Sequence, residues 1–139
     1  MRWRVYVILL MTALLSGAEP ISWYGDFDRA LRVSRQSGRP MLVVLVERGC
    51  RPCGDLLRRL ASDGELVATI SERTIPILVT RENEDYPVEL LYTLEYPTLF
   101  LLSPEETFLG EPVRGDVHLS VLRRLLEEEL PHEGRLFGR

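Results

Sequence analysis

The sequence predicts an α/β fold: a central mixed β-sheet, with parallel strands joined by helices, closed by an antiparallel hairpin and covered by helices on both faces. Three observations carry this. The runs Met41–Val46 and 75–79 are continuously apolar, without the alternation of a half-exposed strand, and so read as strands buried on both sides. Between them lies a leucine-rich segment whose apolar residues recur at helical spacing. Further on, two β-prone segments, 98–102 and 108–113, flank Ser103-Pro104-Glu105-Glu106, which reads as a hairpin loop.

Each element follows from local chemistry. Residues 19–25 form an irregular lead-in, after which Asp26 caps a helix that places Phe27, Ala30 and Leu31 on one face; Gly38 and Pro40 close it. Residues 50–61 and 65–71 are helical by pattern, and the second apolar strand is interrupted by Pro76. A polar stretch, 81–86, leads to a predicted short helix over 88–94. Asp116 is expected to cap a last helix, in which Leu119, Leu122, Leu126 and Leu130 share one side before Pro131 ends it. The domain is expected to span 19–130, with 131–139 as a fraying tail.

The first eighteen residues read as an address. Arg2 and Arg4 precede an uncharged stretch, 5–15, and Ser16-Gly17-Ala18 offers small residues for cleavage before Glu19. A spanning helix needs about twenty apolar residues, so cleavage and a periplasmic or secreted product are expected. The alternative is an uncleaved segment that anchors the domain to a membrane. The chain has no lysine: all 17 basic residues are arginine, against 21 acids. This acidic balance argues against a nucleic-acid partner, which calls for a basic stripe.

Cys50 and Cys53 are the only two cysteines, spaced Cys-x-x-Cys where the first strand gives way to the leucine-rich helix. Cys53, Leu56, Leu57 and Leu60 fall at i, i+3, i+4 and i+7, so Cys53 belongs to the stripe that faces the sheet. Cys50 precedes that stripe, at a helix end whose free N–H groups favour a thiolate. Periodicity therefore casts Cys50 as the attacking thiol and Cys53 as the resolving one, and Pro52 suits a first helical turn. Arg48 and Arg51 favour the thiolate of Cys50, while Glu47 and Asp55 oppose it. Other roles for the pair are less apt. A structural bridge this short restrains little chain. A metal site would need His118 and His132, at a spacing unlike common zinc patterns. Haem attachment would need histidine where Gly54 stands. Tyr86, Tyr92 and Tyr96 read mainly as packing.

Trp23, the step Ser37-Gly38-Arg39-Pro40, the strand Met41–Val46, Cys50-Arg51-Pro52-Cys53, Tyr96-Pro97-Thr98 and the hairpin up to Gly110 together resemble the thioredoxin-like superfamily, and more closely its exported members. The resemblance implies a thioredoxin fold and a thiol–disulfide oxidoreductase whose only redox group is its own dithiol, with no bound cofactor. It implies that Pro97 is cis and faces the disulfide, and that Tyr96 presents backbone to a partner's cysteine segment. With Arg51 and Pro52, these are the expected substrate-binding residues. Expected partners are protein thiols and disulfides, including one dedicated extracytoplasmic client and a membrane electron donor; a monomer is expected. Pro52 is similar to the proline of reducing thioredoxins and leans toward reductase. The alternative is a non-catalytic binding module or metal carrier on the same fold. The chain departs from the family pattern at Gly49, where tryptophan is usual, at Gly54, where a basic residue is common, and at Val44, where many members bury an acid. With no acid there, the proton of Cys53 is left to water or to Glu47, which is expected to face solvent.

Overall fold

The computed structural model describes residues 19–131. The proposed address over 1–18, His132 and all but the first residue of the tail lie outside the described residues. The elements are α1 (Phe27–Ser37), β1 (Met41–Val46), α2 (Arg51–Ser62), α3 (Gly64–Arg73), β2 (Ile75–Thr80), β3 (Thr98–Leu102), β4 (Val113–Arg114) and α4 (Leu119–Glu129). A 3-10 turn, Arg81–Asn83, follows β2.

The strands form one mixed sheet in the order β2-β1-β3-β4. β1 runs parallel to β2, with Met41 opposite Ile75 and Val46 opposite Thr80. β3 lies antiparallel to both β1 and β4. Pro76 is tolerated within β2 because of where its missing N–H would point. Leu78, two residues on and of the same parity, donates its N–H outward to Tyr24 O, and Pro76 O accepts from Tyr24 N. The absent donor of Pro76 therefore faces the sheet edge, and the β1–β2 ladder loses nothing.

Alternation along the buried strands divides the core in two. On one face, Leu42, Val44, Leu99 and Leu101 pack against Leu56 and Leu60 of α2, Leu66 and Ile70 of α3, and the leucines of α4. On the other, Met41, Val43, Leu45, Ile75, Ile77 and Phe100 meet Phe27 and Ala30 of α1. Both faces are covered, as two non-alternating strands require. Asp26 caps α1 by accepting from Arg29 N at 3.1 Å, and Gly38 closes it in the left-handed conformation at φ 74°. Asp63 caps α3 through Leu66 N.

Three predicted features differ. Over 88–94 there is a turn in place of a helix, with one helix-type bond, Leu91 N to Pro87 O. The hydroxyl of Thr93 accepts from Glu95 N and meets the hydroxyl of Thr98, so local side-chain bonds compete with the next helical turn. Strand 108–113 is reduced to a bridge between Phe108 and Leu102 and the two-residue β4. Leu102 pairs with Phe108 but Leu99 with Val113, which leaves two surplus residues on the outer chain. They are absorbed where Gly110 turns left-handed at φ 71° and Pro112 lacks a donor. Asp116 does not cap α4; His118 holds that position without a side-chain bond. Burial of Val117, 1% exposed, commits the chain to the core first and delays the helix.

Candidate active site at the Cys50–Cys53 disulfide

β1 ends at Val46, and a short turn brings the chain to the start of α2. Gly49 is left-handed at φ 69°, a conformation that strains any residue with a Cβ. Glycine meets that requirement without strain. Cys50 N donates to Glu47 O at 3.3 Å, and Cys50 is the N-cap of α2, its sulfur accepting from Cys53 N at 3.2 Å. Arg51 and Pro52 open the helix, where proline forfeits no intrahelical bond.

The two cysteines form a disulfide, with S–S 2.03 Å and Cα atoms 5.3 Å apart. Their environments are unequal. Cys53 is 3% exposed and sits in the stripe of Leu56 and Leu60, whereas Cys50 is partly exposed at the helix end. A shallow cavity of about 390 Å³ opens beside the pair, lined by Gly49, Arg51, Leu57 and Arg58. Beneath it the core is apolar: Val44 is fully buried and packs with Leu56 and Leu99.

The Tyr96–Pro97 peptide is cis, and Pro97 is buried at the entry to β3. The loop before it is tied together by hydroxyls. Thr98 Oγ1 donates to Glu95 O at 2.6 Å, and Tyr96 Oη donates to Thr93 O at 3.2 Å. Tyr96 shares a cleft with Pro52, Asp55, Arg58 and Gly115, so the loop and the start of α2 meet across one depression. Of the predicted residues, Cys50, Cys53 and Arg51 thus line one cavity, and Pro52 and Tyr96 line its neighbour. Pro97 is buried and lines neither cavity.

Glu47 does not stand free in solvent. It lies just past the end of β1 and lines the same shallow cavity as Cys50 and Cys53. There its carboxylate accepts from Arg81 Nη1 at 3.1 Å, with the acid's side chain 33% exposed. The Arg81 guanidinium also lies over the Tyr96 ring, 5.7 Å from its centroid. The bond to Glu47, and secondarily the neighbouring Tyr96, raise the pKa of Arg81. Arg81 therefore links the ends of β1 and β2 to the loop that carries Pro97. Composition offered no hint of this, but register did: with Val46 opposite Thr80, a parallel pair sets Glu47 beside Arg81. On the same surface, burial pushes the Tyr86 phenol up, with help from Tyr96 and Glu84.

His118 is exposed at the head of α4, and among the described residues no three His, Cys, Asp or Glu side chains converge as a metal site would require. Among those residues, no helix is long and apolar enough to cross a membrane.

Comparison with known proteins places this geometry. No curated protein matches the chain. Among solved structures, a thioredoxin from Thermus thermophilus superposes with a TM-score of 0.67 at 17% identity, covering 79% of this chain and 87% of that one. A DsbH oxidoreductase gives a TM-score of 0.63 at 17% identity, with the same coverage. A Trichomonas vaginalis thioredoxin gives 0.59 at 19% identity, covering 81% of this chain and 98% of that one. At these identities the likeness is one of fold. The family model described as thioredoxin-like matches residues 22–104, more than half of the sequence. The chain belongs to the thioredoxin-like family.

Proposed function

We propose that this protein is an exported thiol–disulfide oxidoreductase that reduces a disulfide in one dedicated extracytoplasmic client. The observation that carries the reading is the unequal pair: a partly exposed Cys50 capping α2, bonded to a Cys53 that is 3% exposed.

The reaction begins from the dithiol. The Cys50 thiolate attacks one sulfur of the client's disulfide, forming a mixed disulfide and expelling the client's other sulfur as a thiolate. Cys53 then loses its proton and attacks Cys50 Sγ, which releases the second client thiol and forms the Cys50–Cys53 bond. Two electrons pass to the client, and a dithiol donor, proposed to lie in the membrane, returns them. The helix end favours the thiolate in the first step, since the N–H groups of the first turn have no intrahelical acceptors. The proton of Cys53 goes to water or to Glu47, which lines the same cavity and is paired with Arg81. Tyr96, Pro52 and Arg51 form the surface on which the client's cysteine segment rests, with Pro97 fixing the loop from within. The dithiol is the whole redox apparatus.

Trapping tests the assignment. Cys53→Ser should accumulate a covalent mixed disulfide with a disulfide-bonded substrate, because no thiol remains to resolve it. Cys50→Ser should trap far less. If neither substitution alters disulfide reduction or capture, the fold serves as a binding module or metal carrier. The redox potential tests direction: near about −270 mV the pair acts as a reductant, near about −120 mV as an oxidant.

A further inference from the structure

Arg51 breaks a rule of helix chemistry. It is the first residue of α2, where unpaired N–H groups already make the helix end positive, so a cation there works against the helix. α1 and α3 carry Asp28 and Glu65 in their first turns, while α2, like α4, has no acid there, and α2 alone opens on an arginine. Local rules are broken where function requires it. Arg48, on the other side of Cys50, is likewise exposed. Among the described residues, neither guanidinium forms an ion pair or a hydrogen bond.

The acids that could neutralise them are otherwise engaged. Glu47 is held by Arg81, and Asp55 by Arg58. Glu82 accepts from the backbone N–H of Arg48, at 3.2 and 3.3 Å from its two oxygens, and is the countercharge on that side. Nothing comparable faces Arg51. A chain of net charge −4 thus sets two unpaired guanidiniums, with only Glu82 nearby on the Arg48 side, around its one partly exposed cysteine sulfur.

We propose that Arg48 and Arg51 select partners that carry negative charge beside the cysteine they present. This rests on the oxidoreductase reading above and specifies its substrate class: disulfides flanked by carboxylates. A carboxylate next to the attacked sulfur sits within reach of both guanidiniums as the mixed disulfide forms. At a separation of about 7 Å in water, each such charge pair changes the encounter by roughly threefold.

The same arginines also act on the Cys50 thiolate itself, so the test must separate the two effects. Reduced protein is mixed at low ionic strength with an anionic disulfide, dithiodipropionate, or with a cationic one, cystamine. Single-turnover loss of protein thiols is followed by alkylation and mass. The comparison is between wild type and Arg48→Gln/Arg51→Gln, with Arg48→Lys/Arg51→Lys as the charge-preserving control. Selection by charge predicts opposite movements: dithiodipropionate up to about ninefold slower, cystamine up to about ninefold faster, the ratio shifting by up to several tens-fold and returning with lysine. Added salt should shrink that ratio in wild type but not in the glutamine variant. Equal slowing of both disulfides would mean that the arginines act through the thiolate alone, and would overturn the proposal. So would no change in either. If wild type reduces neither disulfide, the oxidoreductase reading falls first and takes this inference with it.

Discussion

Val44→Asp asks whether the floor beneath the disulfide is as dry as its packing implies. Val44 is fully buried, between Leu42 and Leu56 on the α2 side of the sheet, at the position where relatives often carry an acid. Removing the valine forfeits about 1.5–3 kcal/mol of apolar burial. Burying even a neutral carboxyl without a partner adds roughly 1–3 kcal/mol. The variant should therefore lose about 3–6 kcal/mol at pH 4, a large share of a typical 5–15 kcal/mol. A second penalty depends on pH. Burial raises the folded-state pKa of the new Asp above its unfolded value of about 3.9, so this penalty is absent below that value. It grows by about 1.4 kcal/mol per unit as pH rises toward the folded value. A lift of about two units would cost roughly 2 kcal/mol more at pH 7 than at pH 4. Urea unfolding followed by circular dichroism at pH 4, 5, 6 and 7 measures this, with Val44→Asn as a variant that should be destabilised equally at every pH. If Val44→Asp tracks wild type across that range, water or an unnoticed partner reaches the site, and the account of a dry floor is wrong.

Gly110→Ala should lose about 1–3 kcal/mol in the same unfolding assay. Its φ of 71° disfavours any Cβ, and an added one would sit 2.6 Å from Leu125 Cδ1. Reduced Cys50 should be half-alkylated at a pH below about 8.5, the value of a free thiol, because it caps a helix and is flanked by Arg48 and Arg51. A midpoint at or above that value would refute the activated thiolate.

What the sequence revealed and what it hid follow from the range of the interactions involved. β1, β2 and β3 were legible because burial on both faces leaves an unbroken apolar run that little else explains. The cap at Asp26, the stop at Gly38 and the unequal cysteines were legible because each depends on neighbours within a turn or two. The helix expected over 88–94 failed at Thr93, whose hydroxyl prefers Glu95 and Thr98; the apolar pattern carries no trace of that competition. Asp116 has a good capping side chain, but the distant demand to bury Val117 overrides it. The Glu47–Arg81–Tyr96 arrangement joins residues 34 positions apart and then a loop beyond them, so it emerges only once β1 and β2 are set in register.

Pro76 has a consequence beyond its own strand. Sheets built from strands as apolar as these are prone to grow by adding a chain to an open edge. Here the two edges are β2 and β4. On β2, Pro76 removes one outward donor, and the bridge to Tyr24 occupies the next donor and the acceptor between them. On the opposite side, β4 is only two residues long. An incoming strand would find few free partners along either border. The proline that interrupts the strand pattern thus helps a leucine-rich sheet resist stacking into aggregates, and leaves the disulfide rim free as a place to meet other proteins.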